Sequence, residues 1–128
     1  MKILPALAAL SLVAVIPSAA RAQDLYDLGT IRTIELTFTQ TNWWAQLTNN
    51  YGTGRSIKAD LTVDGTVYPD VGVRFRGQSR YYALPTGSLK KPFGIALDEY
   101  VPNQEGMGYK TLNLNNNLID PSFVREAL

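Results

Sequence analysis

Cysteine and histidine are both missing from the 128 residues. Without cysteine there is no disulfide staple, so the core must hold by burial alone or by docking onto something larger. Without histidine, His-based triads and His-ligated metals are excluded within these residues. Charge is scarce and balanced, 12 Lys and Arg against 11 Asp and Glu, which argues against a chain that coats nucleic acid or another polyanion. No apolar run reaches the ~20 residues that a membrane-spanning helix needs.

The longest apolar stretch, Leu4 to Ile16, follows Met1, Lys2 and Ile3 and leads into Pro17, Ser18, Ala19, Ala20, Arg21 and Ala22. A charged start, a short apolar middle and a small-x-small ending at Ala20 and Ala22 are the parts of a secretory signal peptide, with cleavage expected between Ala22 and Gln23. Pro17 and the shortness of the run weigh against an anchor, and no cysteine is available for lipid modification. The expected product is secreted or held at the cell envelope, with no membrane segment after cleavage. Removing 22 of the 128 residues leaves 106, enough for one small domain, with ten basic against eleven acidic side chains.

Thr33 to Thr39 alternates, Ile34, Leu36 and Phe38 against Glu35, Thr37 and Thr39, the period of a half-buried strand. Trp43, Trp44 and Leu47 follow at helical spacing behind Thr41 or Asn42 as caps, predicting a helix over Thr41 to Thr48. A loop through Gly52 and Gly54 leads to a second strand, Ser56 to Val63, which runs into Asp64-Gly65, a strong hairpin signal. The return strand, Thr66 to Arg76, is expected to turn Val71, Val73 and Phe75 inward and Arg74 and Arg76 outward, with an irregular edge-like start at Pro69 and Asp70. Gly77 to Ser88 reads as a loop. Strands over Lys91 to Leu97 and Tyr109 to Leu114 follow, and Asp120-Pro121 is a good start for a closing helix that has barely begun at Leu128. The fold class is therefore α+β, a mostly antiparallel sheet of about five strands with one early and one late flanking helix.

Seven basic residues, Arg55, Lys58, Arg74, Arg76, Arg80, Lys90 and Lys91, lie between positions 55 and 91 against Asp60, Asp64 and Asp70. Such a stretch is either a solvated sheet face or, if the hairpin and the Gly77 loop converge, a surface for phosphate or carboxylate groups. Lys91 shares a face with Phe93, Ile95 and Leu97 if the strand includes it, and must then snorkel to water or pair with an anion. Gly52-x-Gly54 resembles the start of a phosphate-cradling glycine loop, but Ile57 stands where a third glycine would be expected, and turns explain both it and Gly106-x-Gly108 better.

Four segments, Val73-Arg74-Phe75-Arg76-Gly77-Gln78-Ser79, Lys90 to Leu97, Tyr109 to Asn117 and Asp120 to Glu126, together resemble the CotH kinase family, over roughly Ile34 to Leu128. The family is one of secreted or envelope-associated atypical protein kinases, named for a spore-coat protein, that use ATP and a divalent metal such as Mg. The resemblance implies the small N-terminal, sheet-rich lobe of a kinase-like fold. Lys91 becomes the candidate for contact with ATP phosphates, Glu126 the acid that orients it, and Arg76 and Ser79 either phosphate contacts or a structural turn. It also implies that the metal-binding and catalytic residues belong to a C-terminal lobe of the same domain, the expected partner alongside a protein substrate, so that these residues alone are not expected to transfer phosphate. A reading from another class is an exported β-rich module that binds carbohydrate or protein through Trp43, Trp44, Tyr81 and Tyr82.

Overall fold

The computed structural model describes residues 24–27, 29–85 and 87–116. Five strands and two helices follow in the order β1 (Ile34–Thr37), α1 (Trp43–Asn50), β2 (Ile57–Val63), β3 (Thr66–Phe75), α2 (Ser79–Tyr82), β4 (Phe93–Ala96) and β5 (Thr111–Leu114). The sheet order is β1-β2-β3-β4-β5, and every neighbouring pair is antiparallel. Each strand thus pairs with its neighbours in sequence. The expected α+β class with a mostly antiparallel sheet is what the chain forms, and α1 lies across β2 and β3. The closing helix expected from Asp120 onward lies outside the described residues.

The Asp64-Gly65 turn has φ of 49° and 85° at its two central positions. Two left-handed residues in a two-residue loop match the right-handed twist of paired strands, which sets the pairing of Val63 with Thr66. The Asp64 carboxylate accepts from the Thr33 N–H at 2.8 Å and pairs with Arg32 at 2.9 Å, so the turn also fixes the entry to β1. These contacts hold the Asp64 carboxyl below the usual carboxylate range, the Thr33 N–H first and Arg32 second. Further along β2 and β3, the register slips between Ala59 and Leu61, opposite Asp70, whose φ is 51°. The Asp60 carboxylate accepts the Asp70 N–H there, at 3.1 Å. Pro69 and Asp70 do sit in an irregular stretch, one that β4 does not reach.

Ile57, Ala59, Leu61 and Val63 of β2, Val71, Val73 and Phe75 of β3, Ile95 of β4 and Leu112 of β5 are buried together with Leu47 of α1. Burying each large aliphatic side chain contributes about 1.5–3 kcal/mol, which is what selects this register over one shifted by a residue. Aromatic rings extend the core beneath α1. Phe38 stacks on Trp43 at 4.6 Å, Trp44 meets Phe75 edge-on at 4.9 Å, and Phe75 meets Phe93 at 5.2 Å. An apolar hollow lined by Ile34, Leu36, Phe38 and Trp43 on one side and Phe93 and Leu114 on the other shows how far the sheet curls, bringing residues of the first and last strands to one depression. Beside this hollow the segment before β1 straps the first strand to the last, with Leu25 and Tyr26 against Ile34, Leu112 and Leu114, the Tyr26 and Tyr109 rings 5.1 Å apart, the Tyr109 hydroxyl donating to Asp24, and Arg32 donating to the Asp24 carbonyl.

Several local expectations need correction. The first helix begins at Trp43 and runs on to Asn50; Asn42 precedes it but does not cap with its side chain, whose oxygen instead accepts from Gln46 at 2.7 Å. The Gly77 to Ser88 stretch is not all loop, since Ser79–Tyr82 closes one helical turn, with the Ala83 N–H on the Ser79 carbonyl. Trp43 and Trp44 are half-buried and Tyr81 is buried, so of the four aromatics once read as a binding surface only Tyr82 is exposed, at 69 %.

Candidate functional site

Lys91 stands two residues ahead of β4 and not in it, yet its ammonium reaches the inner, helix-covered side of the sheet. It donates to the Tyr81 carbonyl at 3.2 Å and lies 4.0 Å from the centre of the same residue's ring. The geometry is a cation–π contact capped by a carbonyl. Tyr81 itself is stacked on Tyr51 at 3.6 Å, and Tyr82 meets both rings edge-on. Burial raises the phenol pKa of Tyr51 and of Tyr81, with neighbouring tyrosines adding to it, so both stay neutral beyond the ordinary tyrosine range. Among the described residues no carboxylate lies within ion-pair distance of Lys91. A cleft of about 350 Å³ opens beside it, lined by Trp44, Thr48, Tyr82, Pro85 and Ser88 among others. The sequence reading offered snorkelling or an anion, and the lysine has taken a carbonyl and a ring.

Asn116 anchors this region. Its side-chain amide donates to the carbonyls of Arg80 and Lys90, both at 3.1 Å, which ties α2 to the approach of β4 just ahead of Lys91. Lys90 is exposed. The backbone ladder continues past the strand end, where the Arg76 N–H donates to the carbonyl of the fully buried Pro92 at 3.0 Å.

Arg76 lies near Lys91 in the ladder but on the other face. Its guanidinium donates to the Asn115 side-chain oxygen at 2.9 Å. Arg74 runs alongside it. Arg74 pairs with Gly94 in the sheet, and a methyl group placed on Gly94 would stand 3.6 Å from Arg76 Cδ and 3.7 Å from Arg74 Cγ and Nε. Both stems therefore lie down across β4 at contact distance, and a longer side chain at position 94 would lift them. The two arginines open onto a cleft of about 440 Å³ at the end of the sheet, walled also by Tyr51, Gly52, Gly54, Phe75, Gly77, Gln78 and Tyr82. Gly52, Gly54 and Gly77 all have left-handed φ, 79°, 75° and 81°. The Tyr51 hydroxyl donates to the Gly77 carbonyl, joining the first glycine loop to the second. Tyr82 borders this cleft and the Lys91 cleft alike.

Of the candidate site residues, Lys91 and Arg76 thus occupy opposite faces at one end of the sheet. Ser79 is exposed at the start of α2, and its hydroxyl makes no hydrogen bond among the described residues. Glu126 lies outside the described residues. Lys58 is drawn off to the Tyr100 ring, 4.9 Å from its centre, so the seven basic side chains do not form one patch. Sequence reading missed the anchoring roles of Asn115 and Asn116 and the meeting of Gly52 and Gly54 with Arg74. The Arg74–Gly94 pairing was the available signal, since an alternating strand opposite β3 places a residue without a side chain beneath Arg74. Among the described residues no group of three or more metal-ligating side chains is gathered.

In comparison with known proteins, the family model described as CotH kinase protein matches residues 73–128. That is under half of the chain, starting within β3 and taking in Arg74, Arg76, Ser79, Lys91 and Glu126, and it is narrower than the resemblance from Ile34 onward read in the sequence. No curated protein and no solved structure matches the chain.

Proposed function

Proceeding from the CotH match over residues 73–128, we propose that this chain supplies the small, nucleotide-covering lobe of a CotH-type protein kinase, with Lys91 as the contact for the phosphates of ATP. The observation that carries the reading is the state of Lys91: a half-buried ammonium, bordering a cleft, whose described partners are one carbonyl and one ring face. A partly desolvated cation without a counter-charge is where an anionic ligand gains most, because the protein has already oriented the charge. Asn116 and the Tyr51–Tyr81 stack fix the α2 carbonyl that aims it. Glu126 is the proposed acid partner of Lys91, and Arg76 and Ser79, from the other side of the same strand end, are proposed to shape the turn that precedes the cleft. ATP, when bound, supplies the transferable phosphoryl group. No group of three or more metal-ligating side chains is gathered among the described residues, and the ligands of a divalent ion are proposed to come from the larger lobe. Phosphoryl transfer to a protein substrate is proposed for the domain completed by its larger lobe. The chain is further proposed to be exported with cleavage after Ala22, for which the small residues at Ala20 and Ala22 are the support; an exported product beginning at Met1 would remove that part.

The test compares neighbours of opposite orientation. In the completed domain, Lys91→Ala should lower phosphotransfer by at least ~10²-fold, the usual loss when one preorganised electrostatic contact is removed. Lys90→Ala should do far less. Equal losses, or a larger one at Lys90, would reject Lys91 as the phosphate contact.

A further inference from the structure

The cleft that Arg74 and Arg76 open onto is not used by the reading above, and one side of its wall, Tyr51, Gly52 and Gly54, comes from outside the segment that matches a known family. We infer that Arg74 and Arg76, with the Gly52–Gly54 and Gly77 loops, form a second anion site that takes a phosphate monoester. Three observations support this independently of Lys91. Arg74 has no hydrogen-bond or ion-pair partner among the described residues, although it is two positions from Arg76 on one face and both stems are pressed flat on Gly94. Arg76 is already oriented by Asn115, so one of the two forks is fixed before any ligand arrives. No Asp or Glu lines this cleft, Glu99 lying in the adjoining hollow where the two arginine stems cross Gly94, and three left-handed glycines leave the rim without side chains at Gly52, Gly54 and Gly77.

The chemistry follows from the donors. Two guanidinium groups side by side present planar pairs of N–H bonds that suit the oxygens of a dianion, and phosphate matches such forks better than a single carboxylate does. Gln78 adds an amide at the wall, and the exposed Tyr82 ring gives an apolar surface beside the anion. The ester group attached to the phosphate would lie against that ring. A phosphoserine side chain in a peptide and the terminal phosphate of a nucleotide share this chemistry.

The experiment titrates the full chain at low ionic strength with O-phosphoserine, a phosphoserine peptide, its unphosphorylated form and ATP, read by calorimetry. Saturable binding of O-phosphoserine that falls at least ~10-fold in Arg74→Gln, and partly recovers in Arg74→Lys, is the expected result, since a charge-assisted fork is lost and then half restored. Arg74 is exposed, so neither variant removes core contacts. Tighter binding of the phosphopeptide than of ATP, abolished without the phosphate, assigns the source to protein; ATP binding lost on Arg74→Gln assigns it to nucleotide. Lys91→Ala should leave O-phosphoserine binding unchanged, which separates this site from the nucleotide reading on the inner face. The inference is overturned if Arg74→Gln binds as the parent does, or if Lys58→Gln, which removes a cation outside the cleft, weakens binding equally.

Discussion

The inner face of the sheet carries Ile57, Ala59, Leu61, Val73, Phe75 and Ile95, while the outer face, one residue out of step along the same strands, carries Lys58, Gly72, Arg74, Gly94 and Ala96. On the first face the middle of the sheet is filled and the side chains there specify one another through volume. On the second the middle of the sheet is nearly bare of side chains, and long charged residues fold down onto it: Arg74 and Arg76 over Gly94, and Glu99 over Gly72. Packing thus determines the inner face, and the lack of side chains determines the outer one. The ammonium that reaches the inner face, that of Lys91, is set against one carbonyl and one ring, whereas Arg74 on the outer face has no hydrogen-bond or ion-pair partner among the described residues.

Substitutions that reverse this contrast should differ in size. Leu61→Ala, at a position with no exposure, should lower unfolding free energy by about 2–5 kcal/mol in a denaturant titration, because the neighbours cannot fill the space. A loss under ~1 kcal/mol there would mean the inner face is loosely packed. The hairpin end, where Asp64 joins the sheet to the entry of β1, should respond to acid. Its carboxyl is depressed in the folded state by the Thr33 N–H and Arg32, so the stability it contributes is present above its unfolded pKa and lost as pH falls through the lower, folded value. Asp27, lowered by the Gly29 N–H and Thr30, acts in the same direction. Melting curves of Asp64→Asn should accordingly be less sensitive to acid, below the usual carboxylate range, than those of the parent; parallel curves would show that the turn does not depend on the charge. The smallest effect belongs to the outer face. A methyl group at Gly72 would come 1.7 Å from Glu99 Oε2, the far end of an exposed side chain that can swing away, but also 3.2 Å from Glu99 Cβ, which moves only with its backbone, so Gly72→Ala should lower stability by about 1 kcal/mol. A destabilisation of several kcal/mol would show that the outer face is as tightly specified as the inner one.

Period-2 alternation made β2 and the inward half of β3 legible from sequence, because burial on one face imposes that period, and Asp64-Gly65 supplied the turn. The same alternation put Lys91 on the correct side while overstating the strand that holds it. α2 was hidden because a single turn between Gly77 and Pro85 has too few residues to show a helical period. Tyr81 and Tyr82 are adjacent, and nothing local says that one is buried against Tyr51 and the other is left in solvent. The arginine cleft was out of reach for another reason. Gly52 and Arg74 meet only through the path of α1 and the register of two hairpins, and seven basic residues counted along the chain do not reveal that they divide among separate surfaces.

The sequential strand order also has a kinetic meaning. Each strand pair can close as its second member is made, which keeps the separation between contacting residues short and favours rapid folding. The strap departs from this, since the Tyr109 hydroxyl and the Asp24 carboxylate are 85 residues apart in sequence. A nascent chain presents Asp24 first and must finish β4 before Tyr109 exists, so this seam between the beginning and the end of the sheet closes late.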